Sequence, residues 1–179
     1  TKIEVEDIDW HKILMNRTAV DAKLQTSSLT SLWSRLLRCF FKWHNSLKVV
    51  GVENIPDEGP FIIAPNHQSV LDGPLTMAGL GWKQTSDCYF YATEDHVQGA
   101  VVRFLAKHHN IVVMERRNLK SSIVRLADVL RHGKNVVIFP EGSRTHDGNM
   151  SGFKRTFAIL SQELDVPIVP VRITGAFEA

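Results

Sequence analysis

The stretch Phe61-Ile62-Ile63-Ala64-Pro65-Asn66-His67-Gln68-Ser69-Val70-Leu71-Asp72 decides how this chain is read. Its first four residues form an apolar run closed by proline, the pattern of a buried strand, so His67 falls where a strand gives way to a loop. Ser69 then reads as the N-cap of a helix with Asp72 at its third position, which brings the carboxylate back toward His67. An imidazole beside a carboxylate is the pairing that makes a hydroxyl nucleophilic. The ring takes the proton, and the carboxylate fixes the tautomer and stabilises the imidazolium. His67 is the candidate base and Asp72 its orienter; the plainer alternative is a capped helix beside a polar loop histidine.

Outward from this stretch the same pattern recurs. Val136-Val137-Ile138 is a second apolar run, and it breaks at Pro140 within Phe139-Pro140-Glu141-Gly142-Ser143-Arg144-Thr145. Ile111-Val112-Val113-Met114 is a third, running out into Glu115-Arg116-Arg117. Lys48 to Val52, Cys88 to Ala92 and Pro167 to Thr174 complete the expected strands, the last near a sheet edge or a bulge because Pro170 lacks a ladder donor. Helices are expected from Asp72 to about Gly79, over Glu94 to His108, over Leu119 to Arg131 with Gly133 ending it, and over Ser151 to Leu164. Strands alternating with helices predict a single α/β domain, its sheet mixed because the connections vary in length.

The chain divides into a linker or N-terminal extension (1–28), an amphipathic helix (29–46) and the main domain (47–179). In the helix, Leu29, Leu32, Trp33, Leu36, Leu37, Phe40, His44 and Leu47 follow helical spacing, while Arg35, Arg38 and Lys42 take the other side. Such a helix either packs on the core or lies in a membrane interface; Phe41 and Trp43 widen the stripe and favour some external contact.

Composition narrows the function. The 179 residues are 44% hydrophobic, enough for one domain with a sizeable core. Lys plus Arg number 21 against 19 acidic residues, a balance that gives no reason to expect a nucleic-acid partner. Cys39 and Cys88 are too few for a disulfide framework and lack metal-ligand spacing, as do His108, His109, His132 and His146. No apolar stretch approaches the ~20 residues that span a bilayer, so a soluble or peripheral protein is expected, on the cytoplasmic face of a membrane.

Together, His67 to Asp72 and Phe139 to Thr145 resemble the glycerophospholipid acyltransferase family. Its members carry a histidine and an aspartate separated by four residues and, later, a Phe-Pro-Glu-Gly-Thr-Arg-Ser stretch; here the two hydroxyl residues are exchanged. The resemblance covers roughly Leu47 to Ala179. It implies a glycerolipid acyltransferase-like fold, with acyl transfer from acyl-CoA or acyl carrier protein to a glycerol hydroxyl of a lysophospholipid, lysophosphatidate-like, and neither metal nor cofactor. It also singles out Arg116 over Arg117 as the strand-end arginine able to hold a phosphate bidentately. Arg144 becomes a second phosphate ligand. Gly142 permits close approach of substrate and offers its amide to an oxyanion. Glu141 is assigned to holding the arginines or the acceptor's glycerol. Thr156 stands where many members have glycine, and Thr93 where many have lysine, departures that bear on the acceptor. The opening Glu6-Asp7-Ile8-Asp9-Trp10-His11-Lys12-Ile13-Leu14 resembles the junction in fused proteins where a fatty acid ligase precedes an acyltransferase domain. The rival functions are a lipid or thioester hydrolase, against which the lack of a Gly-x-Ser-x-Gly elbow weighs, and a non-catalytic lipid-binding module.

Overall fold

The computed structural model describes residues 9–15, 28–93, 110–114 and 119–177. Five strands form one sheet in the order β3-β2-β4-β1-β5, where β1 is Ile62–Pro65, β2 Cys88–Thr93, β3 Ile111–Met114, β4 Asn135–Val137 and β5 Ile168–Val171. The α/β class is as expected, but every pairing is parallel rather than mixed. Parallel neighbours need long crossovers, and the segments between these strands are long enough to supply them. Unequal connection lengths do not by themselves imply antiparallel pairs.

A parallel sheet is covered on both faces, so its strands alternate between two cores. Ile62, Tyr89, Val136 and Ile138 face a core completed by α5 (Leu119–Arg131) and α6 (Thr156–Leu164). Phe61, Ile63, Cys88, Phe90 and Val137 face the other, closed by Met77 of α3 (Asp72–Gly79) and by Leu80 and Leu37. The helix α2 (Ser28–His44) packs on α3 and on the short α4 (Trp82–Ser86). The first helix, α1 (Trp10–Met15), buries Trp10 and Leu14 against the α5 and α6 side. Its start is fixed by Asp9, whose carboxylate accepts the Lys12 N–H at 3.0 Å.

Two expectations shift. Lys48 to Val52 is not a strand; the chain there is irregular and ends in a single 3-10 turn at Val52–Asn54. In α2 the inward residues are Ser34, Leu37 and Phe41, whereas Leu32, Trp33, Leu36, Phe40 and Trp43 are exposed. The helix carries apolar residues on two sides, and the side with the smaller Ser34 approaches its neighbours. The expected helix over Glu94 to His108 lies outside the described residues.

This topology positions a site. From β1 the chain crosses to β2, on the far side of β4, by way of α3; from β4 it crosses by way of α6 to β5, on the far side of β1. The two connections cover opposite faces and diverge, leaving a crevice at the carboxyl ends of β1 and β4, the place where open parallel sheets bind ligands.

Candidate active site

The loop after β1 carries His67. Its Nδ1 lies 2.8 Å from Oδ2 of Asp72, a residue with 0% exposure. The same oxygen accepts the backbone N–H groups of Gln68 at 2.5 Å and Ser69 at 2.7 Å. Three donors converging on one oxygen describe an acceptor carboxylate, which puts the ring proton on Nδ1 and leaves Nε2 as the basic nitrogen. Asp72 is also the first residue of α3, where the helix dipole favours negative charge.

Ser69 is not the N-cap. The cap residue is Leu71, and the Ser69 hydroxyl accepts the Leu71 N–H at 3.3 Å instead. The Asp72 carboxylate reaches back to the amides of the preceding loop, and no side chain caps the helix itself.

The loop after β4 wraps this pair. The Phe139 ring lies under the His67 ring, with centroids 4.2 Å apart and planes 24° from parallel, so the imidazole has a fixed floor. Glu141, 2% exposed, accepts the His67 N–H on Oε1 at 2.7 Å and the Ser151 N–H on Oε2 at 2.8 Å. Each oxygen takes one backbone N–H, so the carboxylate ties the His67 loop to the segment at Ser151. Gly142 adopts φ +72°, the left-handed conformation that glycine takes without strain. Its N–H donates to the Phe139 carbonyl at 3.0 Å, which removes that amide as an oxyanion donor. The Thr145 N–H closes the wrap on the His67 carbonyl at 2.9 Å.

Beyond it, the Asp147 carboxyl is held down to about 2 by hydrogen bonds from the Asn149 side chain and backbone and from Thr145. Asn66, unnoticed in the sequence, extends the β1–β5 ladder: its Nδ2 donates to Ile173 O at 3.0 Å, and its Oδ1 accepts the Ile173 N–H at 2.6 Å. An Asn directly after a buried strand and before the candidate histidine was the available signal.

Of the sequence-derived candidates, His67, Glu141, Gly142 and Arg144 belong to these two adjoining loops and Asp72 to the first turn of α3, with Arg144 exposed. Arg116 lies outside the described residues. Cys88 is no alternative nucleophile, since burial pushes its thiol far up. Among the described residues no group of three or more His, Cys, Asp or Glu side chains is arranged to hold a metal ion.

A groove of about 980 Å³ lies between α3, the 45–56 segment and the edge strand β5, with Leu71, the residue before Asp72, in its lining. Leu75, Val169 and Val171 line it with Phe41.

The chain is similar to known proteins. The 1-acyl-sn-glycerol-3-phosphate acyltransferase BAT2 of Brassica napus is 26% identical over 153 residues, 82% of this chain and 42% of its own length. The human 1-acyl-sn-glycerol-3-phosphate acyltransferase alpha is 26% identical over 140 residues, 76% of this chain and 48% of its own. The chain thus spans less than half the length of these relatives. The crystal structure of the 1-acyl-sn-glycerophosphate acyltransferase PlsC from Thermotoga maritima superposes with a TM-score of 0.70 at 27% identity, over 83% of this chain and 59% of that one. The family model described as Acyltransferase matches residues 46–174, a span that takes in all five strands and both loops. The chain therefore belongs to the acyltransferase family.

Proposed function

We propose that this chain transfers a fatty acyl group from a thioester, acyl-CoA or acyl carrier protein, to a free glycerol hydroxyl of a lysophosphatidate-like lysophospholipid. The observation that carries the reading is the 2.8 Å contact between His67 and a fully buried Asp72, which turns Nε2 into an oriented base. Nε2 accepts the proton of the glycerol hydroxyl as its oxygen attacks the thioester carbonyl. On collapse the imidazolium returns the proton to the departing thiolate, and Asp72 steadies the charged ring in between. The names of the relatives support an acceptor with a 3-phosphate. Arg144 and Arg116 are assigned to that phosphate, and the Leu71–Leu75 groove to the acyl chain.

Peripheral attachment to the cytoplasmic face of a membrane is part of the same reading. Among the described residues no helix is long and apolar enough to cross a bilayer. The exposed side of α2 nevertheless presents Trp33, Leu36, Phe40 and Trp43, flanked by Arg35 and Lys42, the make-up of an interfacial helix.

The test is to incubate purified protein with one long-chain acyl-CoA and a panel of lysophospholipids, following acylated product and free fatty acid separately. Acyl transfer that requires the acceptor, and that falls by about 10²- to 10⁴-fold in His67→Ala with the fold retained, is the expected outcome. Fatty acid release regardless of acceptor replaces the reading with a hydrolase; near wild-type transfer by His67→Ala removes that residue from the mechanism.

A further inference from the structure

We propose that Lys154 is a phosphate-binding residue of the substrate site, an inference that rests on the acyl-transfer reading and extends it to a residue outside both motifs. Gly142 is the starting point. A Cβ built on it would stand 3.2 Å from Cγ of Lys154 and 3.5 Å from its Cε. The lysine stem therefore lies across the glycine, in the space any other residue at 142 would fill.

The backbone beneath that stem is tied down. Lys154 N–H donates to the Pro140 carbonyl at 2.7 Å, and three residues earlier Ser151 N–H donates to Glu141 Oε2 at 2.8 Å. The other oxygen of Glu141 holds the His67 N–H, so one buried carboxylate sets the 151–154 run and the candidate base in a common frame. An exposed lysine ordinarily sweeps through many rotamers. Here its stem follows the turn that also bears Arg144.

Lys154 is exposed, and its ammonium has no hydrogen bond or ion pair among the described residues. The buried Glu141 carboxylate beneath the same turn accepts two backbone N–H groups and forms no ion pair with the lysine. A cation laid across Gly142, with no ion pair among the described residues, suits a substrate phosphate, which lysine binds as a point charge. Gly142 then has two physical requirements, its positive φ and the clearance for the lysine stem.

Both substrates of the proposed reaction can carry phosphate, so the experiment separates them. Lys154→Met keeps the stem over Gly142 and the backbone bond to Pro140 but removes the charge. Glycerol 3-phosphate and coenzyme A are titrated calorimetrically, each in turn, into wild type, Lys154→Met and Lys154→Arg, and KM and kcat are measured for lysophosphatidate and acyl-CoA. The expected result is at least tenfold weaker binding of one compound by Lys154→Met, a matching rise in the KM of the corresponding substrate, kcat within threefold, and recovery in Lys154→Arg. Loss on glycerol 3-phosphate assigns the residue to the acceptor; loss on coenzyme A assigns it to the donor. Unchanged binding of both compounds by Lys154→Met, or wild type that binds neither, overturns the proposal. Wild type that binds but transfers no acyl group overturns the proposed reaction, while the titration still decides Lys154.

Discussion

Glu141, in the loop after β4, and Asp72, the first residue of α3, are both buried carboxylates, and their partners separate their tasks. Asp72 spends one oxygen on the imidazole and on two loop amides, so it acts on the base itself. Glu141 touches only backbone, at His67 and Ser151, and acts on where the base sits. Glu141→Gln replaces one acceptor by an NH2 that faces an N–H, and a buried unsatisfied donor costs about 1–3 kcal/mol. We expect chemical denaturation to show a loss of roughly 2 kcal/mol. Turnover should fall by about tenfold or more, with the pH dependence of the remaining activity unchanged, because the His67–Asp72 contact is untouched. An altered pH profile would place Glu141 in proton transfer instead. Asp147 gives a pH prediction of opposite character. Its carboxyl is lowered from the usual 3.8 to about 2, so its hydrogen bonds contribute fully to the turn above pH 3.8 and are lost as pH falls through 2. Carboxyl carbon NMR should find the midpoint near 2; a value near 3.8 would mean that the bonds from Asn149 and Thr145 do not form in solution. The role of Glu141 was not legible locally. The His67–Glu141 bond joins residues 74 apart, and a side chain bonded to remote backbone leaves no periodic trace in sequence.

At the scale of elements, the strongly patterned segments were readable and the weakly patterned ones were not. Ile111–Met114 and Leu119–Arg131 appear as expected, because continuous apolar runs and a 3.6-residue stripe are each dictated by the burial of one element. Lys48 to Val52 shows the limit: Val49 and Val50 resemble a strand, yet Val50 is 92% exposed and no neighbour supplies ladder bonds. Helix α2 shows another. Its apolar residues occupy two arcs, and spacing alone does not tell which arc meets the protein. With Phe41 inward, the exposed arc of Leu32, Trp33, Leu36, Phe40 and Trp43 covers roughly 100° of the helix, wide enough to rest in an interface. Burying a large apolar side chain contributes about 1.5–3 kcal/mol when complete. Trp33→Ser with Trp43→Ser should therefore weaken co-sedimentation with anionic vesicles by about tenfold or more, since 1.4 kcal/mol is a factor of ten. Circular dichroism should remain unchanged. Equal vesicle binding by the double variant would remove α2 from membrane contact.

For the whole molecule, the sheet order matters more than any single residue. The crevice exists because the chain leaves β1 and β4 in opposite directions, and the motifs fall at those two strand ends. The sequence pattern located strand ends but held no information on which strands are neighbours, so the meeting of the two loops came from the resemblance and from the fold. The same order leaves β5 at the edge, and the groove between it and α3 has Leu71, the residue before Asp72, in its lining. If that groove receives the acyl chain, its depth sets the preferred chain length, because each CH2 left in water forgoes about 0.8 kcal/mol. Leu75 stands on the α3 wall of this groove, and Leu75→Trp adds bulk without touching His67 or Asp72. Competition assays with acyl-CoA of graded length should show the optimum moving to chains shorter by about two carbons or more, with kcat on the shortest donors retained, since the shared loss of ~1.6 kcal/mol falls only on chains that reach the new wall. A uniform fall in activity at every length would place the acyl chain elsewhere and leave the groove to another part of the substrate.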